Sequence, residues 1–275
     1  MNIVKFKNYS GVVLHGTEVV TSWPGINTSL HLDRCVLLAS KLEAPKWGTV
    51  QTYDGCGISG GILHHTATFP GKQELGSLWP LLAEVEKALG KPLLDGIDLH
   101  GGVPKFHATG VRLTGNVVRE LFTGSPQGLT ASPIPEVVAH RIEAVHDALT
   151  KDAAKPAQVA AAKAWLVTMT GRLELPAGKS DLPLGTLRVA DFASDSHELA
   201  MVVTRAFAVN NPAAAKTCFK AAGPYYAPGF EERVYKAFAA SPKWSNRVAN
   251  TVTAVAGLGL WSPQAVELLR KHLQK

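Results

Sequence analysis

Three cysteines, Cys35, Cys56 and Cys218, are all that 275 residues contain, and none lies close to another along the chain. An odd count without a close pair argues against a disulfide framework and fits a reducing compartment. No apolar run reaches the ~18 residues that a membrane-spanning helix needs, so no span is expected. The opening stretch MNIVKFKNYSGVVLHG has neither the apolar segment nor the small-residue cleavage site of a secretory signal, and synthesis in the cytoplasm without a signal peptide is expected. There is no internal repeat, zinc-finger spacing, RNP-like run or dense Lys/Arg helix, which argues against a nucleic-acid partner. Asp98-x-His100 followed by His107 matches no established ligand spacing, so no metal and no other cofactor is expected.

What is present is ordinary for a globular chain. Hydrophobic residues make up 46% and charged residues 18% of the sequence, and the length suffices for one large or two small domains. The net charge of +6 favours an anionic partner. Apolar spacing of three and four residues predicts helices over Ser29–Leu42, Leu78–Leu89, Thr114–Phe122, Pro135–Leu149 and Lys155–Thr170. Further helices are predicted over 197–210, capped by Ser196 or Asp195, and over 212–222, 230–240, 245–256 and 263–273. The N-terminal 27 residues alternate apolar and polar and read as a strand or two with an irregular loop. The Pro/Gly/Ser-rich run Gly124–Pro135 is the strongest candidate for a boundary. The expected division is therefore an N-terminal β/loop extension (1–27), a core (28–123) and a helical lobe (124–275). The fold class is mainly α, of the α+β kind, with a small β region.

The richest stretch in chemistry is Glu43–Thr66, EAPKWGTVQTYDGCGISGGILHHT. Glu43 sits on the last turn of an apolar helix that Pro45 must end. There a carboxyl meets the negative end of the helix dipole beside Leu42 and Trp47, surroundings that favour its protonated form and suit a general acid. Thr49–Tyr53 reads as a strand and Asp54-Gly55 as a turn. The glycines at 55, 57, 60 and 61 permit close approach of a backbone or a ligand. Asp54 follows Glu43 by eleven residues, and Ser59 follows Asp54 by five, near enough for the pair to share a water. An acid plus a second carboxylate with a hydroxyl neighbour is the equipment for hydrolysing a glycosidic bond. A Cys56 thiol with His64 or His65 as base is the minor alternative; a cysteine in an apolar glycine turn is more often inert.

Asp54-Gly55-Cys56-Gly57-Ile58-Ser59-Gly60-Gly61-Ile62-Leu63 resembles the D-G-x-G-x-[ST]-[AG]-G-I-I run of the bacterial chitosanases, members of the lysozyme-like superfamily. The helix-end glutamate followed by a strand pair, an Asp and a Ser/Thr also resembles phage-type lysozymes. The resemblance implies Glu43 as the acid, and Asp54 with Ser59 handling the water. The departures are a Glu-to-Asp spacing shorter than in chitosanases and His64-His65 in place of an apolar-aromatic pair. Trp47, Tyr53, Gly57, Gly60, His64, His65, Tyr225 and Tyr226 are the expected substrate contacts, while Trp23 serves either a sugar subsite or the core.

The function so implied is a peptidoglycan-cleaving muramidase, since a basic protein suits an anionic wall polymer better than polycationic chitosan. A lytic transglycosylase and a chitosanase-like hydrolase are the neighbouring readings. A non-enzymatic phage or secretion-system component on the same scaffold is the reading from another class. A monomer is expected, brought to the cell wall by a holin, a virion or a secretion apparatus.

Overall fold

A computed structural model describes residues 3–5, 10–16, 23–43, 46–128, 130–170, 184–224 and 227–273. In chain order, strands β1 (Ile3–Lys5) and β2 (Ser10–Leu14) precede helix α1 (His31–Glu43). Strands β3 (Val50–Gln51), β4 (Ser59–Gly60) and β5 (His65–Thr66) follow, then α2 (Leu78–Leu89). A hairpin of β6 (Ile97–Asp98) and β7 (Lys105–Phe106) leads to α3 (Gly115–Thr123), α4 (Glu136–Thr150) and α5 (Lys155–Thr170). The remainder comprises α6 (Asp195–Asn210), α7 (Pro212–Ala222), α8 (Phe230–Ala240), α9 (Ser245–Leu258) and α10 (Pro263–Leu273). The chain is mainly helical with small antiparallel sheets.

Two compact units form, and their limits differ from the expected 27/28 and 123/124 boundaries. The first unit is Met1–Gly25 with Ala44–Ala161, and the second is Ile26–Glu43 with Ala162–Lys275. The N-terminal strands are part of the first unit's sheet rather than a separate extension: β2 pairs β3, with Val13 opposite Gln51. Gly124–Pro135 does not divide the chain, because polar bonds hold it to α3. Ala131 N–H donates to Thr123 O at 2.7 Å, and the Thr123 hydroxyl donates to Ser125 O at 2.9 Å.

In the first unit β1 to β5 form an antiparallel meander in sequence order. The expected strand 49–53 is shortened to Val50–Gln51, because Thr52 turns its hydroxyl to the backbone: Val12 N–H donates to Thr52 Oγ1 at 2.9 Å. The core joins Val12 and Val50 from the sheet, and Ile58 just before β4, to Leu78, Trp79, Leu82 and Val85 of α2, Val118 and Phe122 of α3, and Ile142 and Leu149 of α4. Each fully buried aliphatic side chain of this size contributes about 1.5–3 kcal/mol. Trp79 pairs its indole N–H with Ala67 O at 2.7 Å, so its burial leaves no donor unmet.

Gly90 caps α2 in the left-handed region at φ 65°, with nothing near its missing Cβ. Gly90→Ala is therefore expected to destabilise through the backbone alone, by about 1 kcal/mol, read as a lower urea midpoint at unchanged slope.

The second unit is built around α6, buried at every residue from His197 to Val209. Helices α1, α7, α8 and α10 pack on it. Phe207 lies 5.1 Å from Trp244 in a tilted pair and 4.7 Å from Phe238 in an edge-to-face pair, ring centre to ring centre. The cap of α6 is Ser194, one residue before those expected: its hydroxyl accepts from His197 N–H at 3.1 Å, while Asp195 accepts from Ser262 N–H at 2.6 Å instead of capping.

Candidate active site

The glycine turn lies between β3 and β4 of the first unit. Asp54 opens it as an Asx-turn: Oδ1 accepts from Cys56 N–H at 3.0 Å. Oδ2 accepts from the Ser59 hydroxyl at 2.7 Å. Both carboxyl oxygens are thus held, and Ser59 meets Asp54 directly. Gly55 and Gly57 take φ of 73° and 80°, which a side chain would resist. A Cβ on Gly57 would also stand 3.2 Å from Arg119 Cα, so the turn rests on the backbone of α3. Asp54 is half-buried, and Ser59 is buried.

The other expected residues of this unit divide between surface and core. Tyr53 is half-buried, beside the turn. Trp47 is only 1% exposed and packs against Trp23 at 5.8 Å, so the expectation that Trp47 stacks on a sugar is corrected: it is core, and half-buried Trp23 is its neighbour. Gly57 and Gly60 are buried, which makes their role one of backbone approach and not of ligand contact. His65 is buried with Nδ1 3.0 Å from Ser77 Oγ, and burial pushes its pKa down to about 4. His64 adopts φ 47°, a left-handed conformation rare outside glycine, in the turn after β4. His146 ties α4 to Gly48 O at 2.6 Å.

The thiol alternative is not sustained by these surroundings. Burial, and after it the neighbouring Asp54 charge, push the Cys56 thiol far above its ordinary value, away from the thiolate that a nucleophile requires. Asp98, His100 and His107 line a groove of about 830 Å³ between α2 and the β6–β7 hairpin. Among the described residues no three His, Cys, Asp or Glu side chains are grouped to hold a metal ion.

Glu43 belongs to the second unit. It is the last residue of α1, as expected, and it accepts a hydrogen bond from Arg247 Nη2 of α9. The sequence reading placed apolar neighbours around Glu43 and missed this cation, which lies 204 positions away. Arg247 Nη1 is buried with no partner among the described residues. Tyr225 and Tyr226 lie outside the described residues.

A second polar cluster of this unit was also missed. His31 Nδ1 of α1 lies 2.6 Å from Glu198 Oε1 of α6, and both side chains are fully buried. Glu198 Oε2 accepts from Trp261 Nε1 at 2.5 Å and from Arg34 Nη1 at 3.4 Å. Cys35 Sγ sits 3.6 Å from His31 Nε2. Burial raises the Cys35 thiol to about 12, so this Cys–His–Glu series is a closed packing network and not a nucleophile. Asp33, in the first turn of α1, is buried and ion-paired with Lys163 at 2.8 Å.

No protein-family model, curated protein or solved structure matches this chain. No helix among the described residues is long and apolar enough to cross a membrane.

Proposed function

We propose that the protein cleaves the glycan backbone of peptidoglycan, as a muramidase of lysozyme-like character. The observation that carries the reading is the Asp54 carboxylate, held on one oxygen by Cys56 N–H and on the other by the Ser59 hydroxyl, at a glycine turn. A fixed, half-buried carboxylate with a hydroxyl partner suits the base that takes a proton from water. Glu43, at the end of α1 beside Arg247, is the acid of the reading.

The reaction balances in these terms. Glu43 gives its proton to the glycosidic oxygen as the bond to the anomeric carbon breaks. The water oxygen bonds to that carbon, and its proton passes to Asp54. The proton then returns to Glu43 through solvent. The net charge of +6 favours the anionic wall polymer as substrate. In this reading the protein acts as a monomer and reaches the wall through a delivery apparatus.

Turbidity loss of purified peptidoglycan tests the role of Asp54. Asp54→Asn keeps the shape and the acceptor for one of the two bonds while removing the base. It is expected to slow clearing by about 100-fold or more with the fold intact. Clearing at the wild-type rate would remove Asp54 from the mechanism and point to a transglycosylase, which needs no water-activating carboxylate.

A further inference from the structure

Arg119 is 3% exposed, on the buried stripe of α3 formed by Gly115, Val118, Arg119 and Phe122. Its guanidinium makes five hydrogen bonds, none of them to a carboxylate. Nε donates to Pro126 O at 2.8 Å. Nη1 donates to Lys72 O at 2.7 Å, with longer bonds to Thr68 Oγ1 at 3.4 Å and Phe69 O at 3.5 Å. Nη2 donates to Asn116 Oδ1 at 2.5 Å. A buried cation satisfied only by neutral acceptors is costly to keep, and leucine would fill an apolar stripe without that cost. The side chain's reach accounts for its presence: it ties the segment after β5 and the loop at Pro126 to α3, and the turn that holds Asp54 lies among them.

The connection to Asp54 is short. Thr68 donates both its N–H, at 3.2 Å, and its hydroxyl, at 3.1 Å, to Cys56 O. Cys56 N–H in turn holds Asp54 Oδ1. From the other side, Gly128 packs so closely that a Cβ there would stand 2.8 Å from Arg119 Cδ and 2.9 Å from Gly55 O. The Arg119 side chain, Gly128 and the Asp54 turn therefore pack as one layer.

We propose that Arg119 is a positioning residue: acting through Thr68 and Cys56, its guanidinium fixes the turn that aims the Asp54–Ser59 pair at the attacking water. The proposal rests on the glycosidase reading for its chemical consequence, and on the hydrogen bonds alone for its mechanical one. The two are separable because Cys35, Cys56 and Cys218 are all buried, so a native chain offers no thiol to a reagent and Cys56 reports on the turn.

The test uses Arg119→Lys, which keeps the charge but loses the fork, and the milder Thr68→Val, which keeps the volume but loses the bridging hydroxyl. Both are compared with wild type for native-state thiol titration and for peptidoglycan products by mass spectrometry. A Cys56→Ser background identifies the thiol. The expected result is one newly reactive thiol, assigned to Cys56. With it, the ratio of hydrolysed to anhydro or transglycosylated products falls about tenfold, in the direction of Asp54→Asn.

A folded Arg119→Lys with Cys56 protected and an unchanged product ratio would overturn the proposal. A reactive Cys56 with an unchanged product ratio would also overturn it, leaving Arg119 a purely structural clamp. If wild type itself releases no glycan product, the glycosidase reading fails. The thiol titration then still decides whether Arg119 holds the turn.

Discussion

Glu43→Gln is expected to lower release of soluble glycan fragments by ~100- to 10,000-fold, the range lost when a general acid is removed. Glutamine matches glutamate in size and keeps a carbonyl oxygen where Arg247 Nη2 now donates, so the tie between α1 and α9 persists. What disappears is the proton for the leaving oxygen. The variant should unfold close to the wild-type temperature, which separates lost chemistry from lost fold. A scaffold protein that only binds the wall would tolerate the change, retaining its affinity for insoluble peptidoglycan with no activity to lose. A transglycosylase would lose activity with Glu43→Gln yet keep it with Asp54→Asn. The two variants side by side therefore sort the three readings.

Glu198→Ala carries the largest expected effect on stability, a loss of about 3–5 kcal/mol. The glutamate is the shared acceptor for His31, Trp261 and Arg34, and its removal leaves a buried imidazole, an indole N–H and a guanidinium without it. Further charges face the cluster from the packed helices: Asp195 and Arg205 on α6 and Asp33 on α1.

Burial raises the Glu198 pKa from the ordinary 4.5 to about 7, against the opposing pull of Trp261 and Arg34. The folded chain thus holds this proton longer than the unfolded one. The stability it carries is complete below 4.5 and is lost as pH climbs through about 7. His31 works in the opposite sense: burial, then Arg205 and Arg34, lower it well below 6.5, so its contribution is complete above 6.5 and is lost as pH falls below that value. Below 6.5 the two slopes oppose each other, so the pair's net effect on stability changes less steeply there than either group alone would make it. Urea midpoints across pH 4 to 8 check this. Glu198→Gln should abolish the decline near pH 7 while keeping the decline on the acid side. A decline near pH 7 that survives in Glu198→Gln would assign it to another group.

The helices were legible because their signals are local. Leu78–Leu89 with Gly90, Lys155–Thr170, and the helices opened by Pro212, Phe230 and Pro263 appear where spacing and punctuation put them. The Asp54–Ser59 bond was foreshadowed for the same reason, since five residues around a glycine turn leave little freedom. The contacts that hold Glu43 and Glu198 carried no local signal. Arg247 is 204 positions from Glu43, and His31 is 167 from Glu198; no periodicity links them.

A weaker signal was present and unread. Arg119 stands in the apolar stripe of α3, and Glu198 and Arg205 stand in the buried face of α6. A charged residue at a core position of a helix must have a partner elsewhere, even when the sequence does not name it. The limits of the two compact units were not foreseen because the second takes α1 from the middle of the first unit's sequence. The loop at 124–135 has the composition of a linker, yet its polar bonds go to α3.

Mass spectrometry of the soluble material released from purified peptidoglycan by the wild-type chain tests the central claim most directly. Muropeptides ending in a reducing sugar, with one oxygen taken from labelled water per bond cut, are the predicted result. Intact glycan strands after incubation with folded protein, or fragments ending only in anhydro sugar with no label, would contradict a hydrolase that uses Glu43 and Asp54.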